Sequence, residues 1–93
     1  MKLTKQKVEK ILKYMNNFEK IDKRINVELD IDFDFFSVGF VVQIDIKNIS
    51  DGLYLSIDDF VKSWLQFHST EIKYFQKFCS TETEEYIIDF KEF

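Results

Sequence analysis

The spacing of apolar residues changes several times along the chain, and each change marks an element. Over 5–24, Val8, Ile11, Leu12, Met15, Phe18 and Ile21 fall mostly three or four apart, which predicts an amphipathic helix. Thr4 stands where its N-cap belongs. From 26 to 36 the period becomes two. Val27, Leu29, Ile31, Phe33 and Phe35 alternate with Glu28, Asp30, Asp32 and Asp34, the pattern of a strand with one wet face.

Ser37-Val38-Gly39 reads as a turn, and Phe40, Val42, Ile44 and Ile46 then alternate with Val41, Gln43, Asp45 and Lys47. A turn of two or of four residues leaves Asp45 and Lys47 on the face of the acidic residues, because same-face register shifts come in steps of two. Residues 48–52, with Asp51-Gly52, read as the next turn, and Leu53-Tyr54-Leu55 as a short third strand. Ser56-Ile57-Asp58-Asp59 has the form of a capping box, although Glu or Gln is the usual fourth residue. A second helix is predicted from there to about Cys79, with a stripe of Phe60, Val61, Trp64, Phe67 or His68, Ile72, Phe75 and Phe78. Ser69-Thr70 is a point at which it would break in two. Glu84 to Phe90 reads as a last strand with Tyr86, Ile88 and Phe90 on one face.

The predicted fold is therefore α+β in one domain spanning 1–93: an N-terminal helix, a three-stranded antiparallel meander, a second helix open to a break, and a C-terminal strand. Helices packed on one sheet face would leave the acidic face to water or to a partner. No internal repeat or linker is visible.

Composition agrees with a small packed domain. The chain has 93 residues, 11 of them Phe and 4 Tyr, with no Pro and only two Gly; large aromatic side chains suit a thin two-layer core and argue against a disordered chain. No apolar run approaches the roughly 20 residues of a membrane helix. The basic start, Met1 to Lys5, is not followed by the apolar segment and cleavage site of a secretory signal. A single cysteine, Cys79, forms no internal disulfide, and a reducing cytoplasm is the expected compartment.

Charge changes the picture more. The net charge of −4 conceals a division: residues 1–24 hold eight of the 13 basic residues and three of the 17 acids. A basic helix precedes a strongly acidic remainder, an asymmetry that concerns partners rather than fold. Glu28, Asp30, Asp32 and Asp34 form the acid ladder of the first strand, with carboxylates about 6.7 Å apart along one face. Asp is depleted in strands, and like charges in a row cost stability. The row has the charge and coarse spacing of a nucleic-acid backbone and could occupy a basic nucleic-acid channel, as a DNA mimic does. Its plain alternative is a solvated face that discourages edge aggregation.

Other chemistry finds little support. Asp30, Asp32 and Asp34 begin like a calcium loop, but Phe35 and Val41 stand where that loop needs Gly and Glu, so no metal is expected. The basic face carrying Lys7, Lys10, Lys13 and Lys20 could contact phosphates, be simply solvated, or serve as an intramolecular partner for the acidic remainder. His68 and Cys79, on one predicted helix, are too far apart for a nucleophile and its base. Cys79 and Trp64 read as core residues. No glycine-rich phosphate loop, H-E-x-x-H or G-x-S-x-G is present, so neither an enzyme nor a cofactor is expected.

The meander Val27–Leu55, its Asp51-Gly52 turn and the helix start Ser56-Ile57-Asp58-Asp59-Phe60 resemble the small acidic anti-CRISPR proteins of phages. Those share the order of an N-terminal helix, a three-stranded antiparallel sheet and then helices. The resemblance covers about residues 1–80. It implies a non-enzymatic inhibitor that occupies a protein surface meant for DNA or blocks the movement of an effector, with Glu28, Asp30, Asp32, Asp34 and Asp45 as its contacts and a basic host protein, such as a nucleic-acid-binding effector, as its partner. The alternative is a nucleic-acid-associated accessory protein that uses the basic helix. A homodimer, basic helix against acidic sheet, is a further arrangement that the charge map allows.

Overall fold

The computed structural model describes residues 4–32 and 37–91. Its elements are α1 (Lys5–Glu19), β1 (Ile25–Asp32), β2 (Ser37–Asp45), a short 3₁₀ turn (Ile46–Asn48), α2 (Asp51–Phe67), β3 (Ile72–Cys79) and β4 (Thr83–Phe90). The four strands form one antiparallel sheet in the order β1-β2-β4-β3. The fold is α+β, as expected, but its order is helix and hairpin, then helix and hairpin again. The starts of α1 and α2 are as far apart in sequence as those of β2 and β4. The repeat lies in topology, not in residues.

Helix α1 begins as its sequence indicates: the Thr4 side chain accepts from Lys7 N at 3.3 Å. It stops at Glu19 rather than at Arg24. The Asp22 carboxylate accepts from both the backbone N–H and the Nε of Arg24, at 2.9 and 2.8 Å, and this local turn supplies an alternative to helical bonding. Ile11, Tyr14, Met15 and Phe18 are its buried stripe.

Several expectations for the middle of the chain are corrected. Ser37-Val38-Gly39 is not a turn but the start of β2, paired with Asp32, Ile31 and Asp30. Leu53-Tyr54-Leu55 is not a strand and Ser56 is not a cap, so there is no three-stranded meander. These residues lie inside α2, whose cap is Ser50, accepting from Leu53 N at 3.2 Å, with Asp51 favourably placed in the first turn. Three alternating residues are too short a signal to outweigh the stripe that Leu53 shares with Ile57, Val61 and Trp64. The second helix also ends early, at Phe67. Ile72, Phe75 and Phe78 are strand residues of β3, which pairs with β4 through a bulge at Lys73. Aromatic residues favour a strand where a neighbour is present to pair with them, and the Ser80–Thr83 turn brings β4 alongside: Ser80 Oγ accepts from Glu82 N and Thr83 N, and Ser80 N donates to Thr83 O at 2.9 Å.

Both helices cover the same sheet face. Val38, Phe40, Val42 and Ile44 of β2 and Tyr86, Ile88 and Phe90 of β4 are all at most 2% exposed. Phe18 from α1 and Trp64 from α2 meet over Phe40, with ring centroids 5.0 Å apart from one another and 5.7 and 6.1 Å from Phe40.

Glu71, between α2 and β3, ties the two helices together. It accepts from Tyr14 Oη at 2.9 and 3.0 Å, lies 2.8 Å from Lys10 Nζ, and lies 3.0 Å from His68 Nδ1. The His68 ring packs, tilted, against Trp64 and Tyr14, with centroids 4.3 and 4.7 Å away. Burial opposes ionisation of the Glu71 carboxyl, but the hydrogen bonds from His68, Lys10 and Tyr14 outweigh it and lower its pKa from 4.5 to about 2. A carboxyl lowered in the folded state stabilises the fold above its unfolded pKa, and that contribution disappears as pH falls through the folded value. Stability should therefore decline between pH 4.5 and about 2, and thermal melts should show Glu71→Gln flattening this decline. At neutral pH the same variant should cost about 2 kcal/mol, since it weakens hydrogen bonds to a charged acceptor.

Candidate functional site

The uncovered face of the sheet is built by the residues that alternate with the core. Glu28, Asp30 and Asp32 of β1 stand opposite Val41, Gly39 and Ser37 of β2. Those in turn stand beside β4, where Val41 pairs with Ile87, Gly39 with Asp89 and Gln43 with Glu85. Asp34 lies outside the described residues. Glu85 and Asp89 extend the acidic face beyond the predicted ladder. Their signal was the alternation of β4, but it becomes a surface only once β4 is known to lie beside β2.

Several of the carboxylates are tied to neighbouring side chains. Glu28 Oε1 accepts from Asn26 Nδ2 at 3.2 Å, and Glu85 Oε1 from Gln43 Nε2 at 2.9 Å. Asp45, expected to bind a partner, caps the 3₁₀ turn, accepting from Lys47 N at 3.2 Å and Asn48 Nδ2 at 2.7 Å. Lys47 leaves the strand within that turn and faces Glu82 at 3.8 Å. Beside it lies a shallow depression of about 420 Å³ lined by Arg24, Asn26, Gln43 and Asp45, among others. Burial raises the Asp89 pKa, and the nearby Asp30 carboxylate raises it further, only partly offset by Lys73 and Ser37. Among the described residues, Glu28, Asp30, Asp32, Asp45, Glu82, Glu85 and Asp89 share this face and its rim with Arg24, Lys47 and Lys73, around the apolar pair Val41 and Ile87.

Gly39 lets two of these acids come together. A Cβ there would lie 2.0 Å from Ile88 O and 2.5 Å from Asp89 Oδ1. Gly39→Ala should destabilise the protein by about 1–3 kcal/mol by overpacking against a backbone atom, a loss that chemical denaturation would measure.

The basic face of α1 is less uniform than its sequence implied. Lys10 is committed to Glu71. Lys13 and Lys20 are exposed, and Lys7 is partly buried.

A second polar cluster lies beneath α2. Glu84 is fully buried, 2.7 Å from Lys77 Nζ, and accepts from Tyr86 Oη at 2.9 Å; Asp58 pairs with Lys62 at 2.8 Å and Lys77 at 3.5 Å. Burial first, then Glu84, raises the Tyr86 pKa. Each carboxylate in this cluster has a lysine beside it, and the one fully buried ion, Glu84, relies on Lys77, so that removing the lysine would leave a buried charge uncompensated. Lys77→Met should cost about 3–5 kcal/mol because it strands Glu84, whereas adding Glu84→Leu should recover most of that loss, a double-mutant comparison that urea denaturation would resolve.

Cys79 is not a core residue: its thiol is exposed, at the end of β3 remote from His68. Seven strand steps separate Ile72, near His68, from Cys79, roughly 23 Å. Trp64 is core, as expected, at 6% exposure. Among the described residues no group of three or more His, Cys, Asp or Glu could hold a metal ion, and no helix is long and apolar enough to cross a membrane.

No family model, curated protein or solved structure matches the chain.

Proposed function

We propose that this protein is a non-enzymatic binding protein that lays its acidic sheet face on a basic, nucleic-acid-binding protein surface, as an inhibitor of the anti-CRISPR kind encoded by a phage or mobile element. The observation that carries the reading is the row of Glu28, Asp30 and Asp32 on β1, continued by Glu85 and Asp89 on β4, on a face that neither helix covers. Like charges on one sheet face destabilise it, so their concentration there suits recognition better than folding. The apolar centre, Val41 and Ile87, suits an interface with a charged rim. The free exposed thiol of Cys79 suits a reducing cytoplasm.

The resemblance that suggests this class now rests on less of the chain. Asp51-Gly52 and Ser56-Ile57-Asp58-Asp59-Phe60, two of its carrying stretches, lie within α2. The β1–β2 hairpin after an N-terminal helix remains. A phosphate-binding role for α1 draws less support, because Lys10 is held by Glu71 at 2.8 Å.

The variant Glu28→Gln/Asp30→Asn/Asp32→Asn separates recognition from folding. Relief of repulsion should raise Tm by about 2–5 °C. The same variant should lose inhibition of target-DNA cleavage, assayed against a panel of guide-loaded CRISPR effectors that the unaltered chain inhibits. Inhibition by the variant equal to that of the unaltered chain would remove the acidic face from the reading; failure of the unaltered chain against every effector would remove the class of target.

A further inference from the structure

Strand β1 is an edge of the sheet. Antiparallel pairing turns the backbone groups of alternate residues toward the same neighbour. The Arg24 carbonyl accepts from Asp45 N at 3.3 Å, so residues in step with Arg24, namely Asn26, Glu28, Asp30 and Asp32, turn their backbones to β2. Val27, Leu29 and Ile31 turn theirs to the open edge. The neighbouring ladders keep the same alternation, with Ile46 N donating to Glu82 O and Ser80 N to Thr83 O.

This edge has two unlike sides. On the helix side, Leu29 is 44% exposed, and Val8 and Leu12 of α1 are 38% and 52% exposed. With Ile11 and Ile31 they line a narrow apolar groove between α1 and β1. On the other side stand Glu28, Asp30 and Asp32. Open backbone groups, an apolar groove and an acidic row therefore run in parallel along one strand.

We infer that β1 takes up an extended segment of the partner as a fifth strand, one in which basic and apolar side chains alternate. Its apolar residues enter the groove beside Leu12 and Leu29, and its Lys or Arg residues meet Glu28, Asp30 and Asp32. Strand addition draws affinity from main-chain bonds and specificity from alternate side chains. Charge complementarity selects this occupant. A second copy paired β1 to β1 would set one acidic row beside another, which is destabilising. The inference rests on the proposed acidic docking face and adds to it the form of the partner.

The probe is a nine-residue peptide alternating Lys with Val or Ile. Its controls are a block isomer of the same composition and a version N-methylated on alternate residues. Fluorescence anisotropy should show the alternating peptide binding about tenfold or more tightly than either control, a difference that main-chain pairing supplies. Leu29→Pro should abolish that advantage. Its N–H points away from β2, so proline there removes no ladder bond, and proline is tolerated at such edge positions. Should this variant fail to fold, hydrogen exchange on the unaltered chain decides: the peptide should protect the amides of Val27, Leu29 and Ile31. Equal binding of alternating and block peptides, with those amides unprotected, would overturn strand addition while leaving the acidic docking face intact. Absence of binding by all the peptides, together with inhibition unchanged by neutralising Glu28, Asp30 and Asp32, would overturn both. Protection of those amides by self-association without peptide would make a second copy the occupant and overturn the proposal.

Discussion

The structure depends on the one-sided burial of strand β2. Val38, Phe40, Val42 and Ile44 are at most 2% exposed, and both helices pack on that side. Because side chains alternate, the intervening Gly39, Val41 and Gln43 must face the other way. The same strand bonds β1 on one flank and β4 on the other. Its alternation therefore sets the face of both neighbours: Glu28 and Asp30 follow Val41 and Gly39 from one side, and Ile87 and Asp89 follow them from the other. The acidic surface is thus a consequence of how the core is filled, since a one-residue slip would exchange the two faces.

Charge serves different ends on the two sides. Beneath the helices, Glu71 and Glu84 are held by lysine, tyrosine and, for Glu71, histidine. Those ions are committed to joining elements: Glu71 links α1 to the end of α2, and Glu84 links β4 to β3. On the open face the acids outnumber their cations, and burial together with Asp30 raises the Asp89 pKa. Beneath the helices each of these carboxylates is tied to a lysine, whereas outside the acids are in surplus. The surplus is what an external basic surface would neutralise.

How much of this was legible in the residues varied with the length of each signal. The alternation from Val27 to Asp32 identified β1, and β4 carried a similar pattern with its buried face correctly read. Thr4 marked the start of α1. The chain between Asn48 and Cys79 misled for definite reasons. Asp51-Gly52 has the composition of a turn but sits in the first turn of a helix capped by Ser50. Ile72, Phe75 and Phe78 keep a spacing of three, which reads as helix, although a bulge and a strand partner make them β3. Strand identity there depends on pairing with β4, a non-local fact. Of the candidate site, Glu28, Asp30 and Asp32 were visible as a local pattern. Glu85 and Asp89 were not assigned to the site, because the strand order that carries them onto the same face is tertiary. The capping role of Asp45 was not legible, because it appears only when the strand gives way to the 3₁₀ turn.

The two helix–hairpin halves make the remaining asymmetry informative. Each half contributes one edge strand, β1 from the first and β3 from the second. Topology alone makes the two edges equivalent, yet their residues are not. Strand β3 has no acidic residue; it carries Lys73 at its bulge, Lys77, and the exposed aromatics Tyr74, Phe75 and Phe78. A bulge and lysines are means by which edge strands resist pairing. Strand β1 has no lysine, and its register with β2 is regular from Ile25 to Asp32. It resists like strands only through its acids. Such protection works against a second acidic edge and fails against a basic one. The acids of β1 would repel a second acidic edge and attract a basic one, whereas the bulge and lysines of β3 carry no such preference for a basic strand.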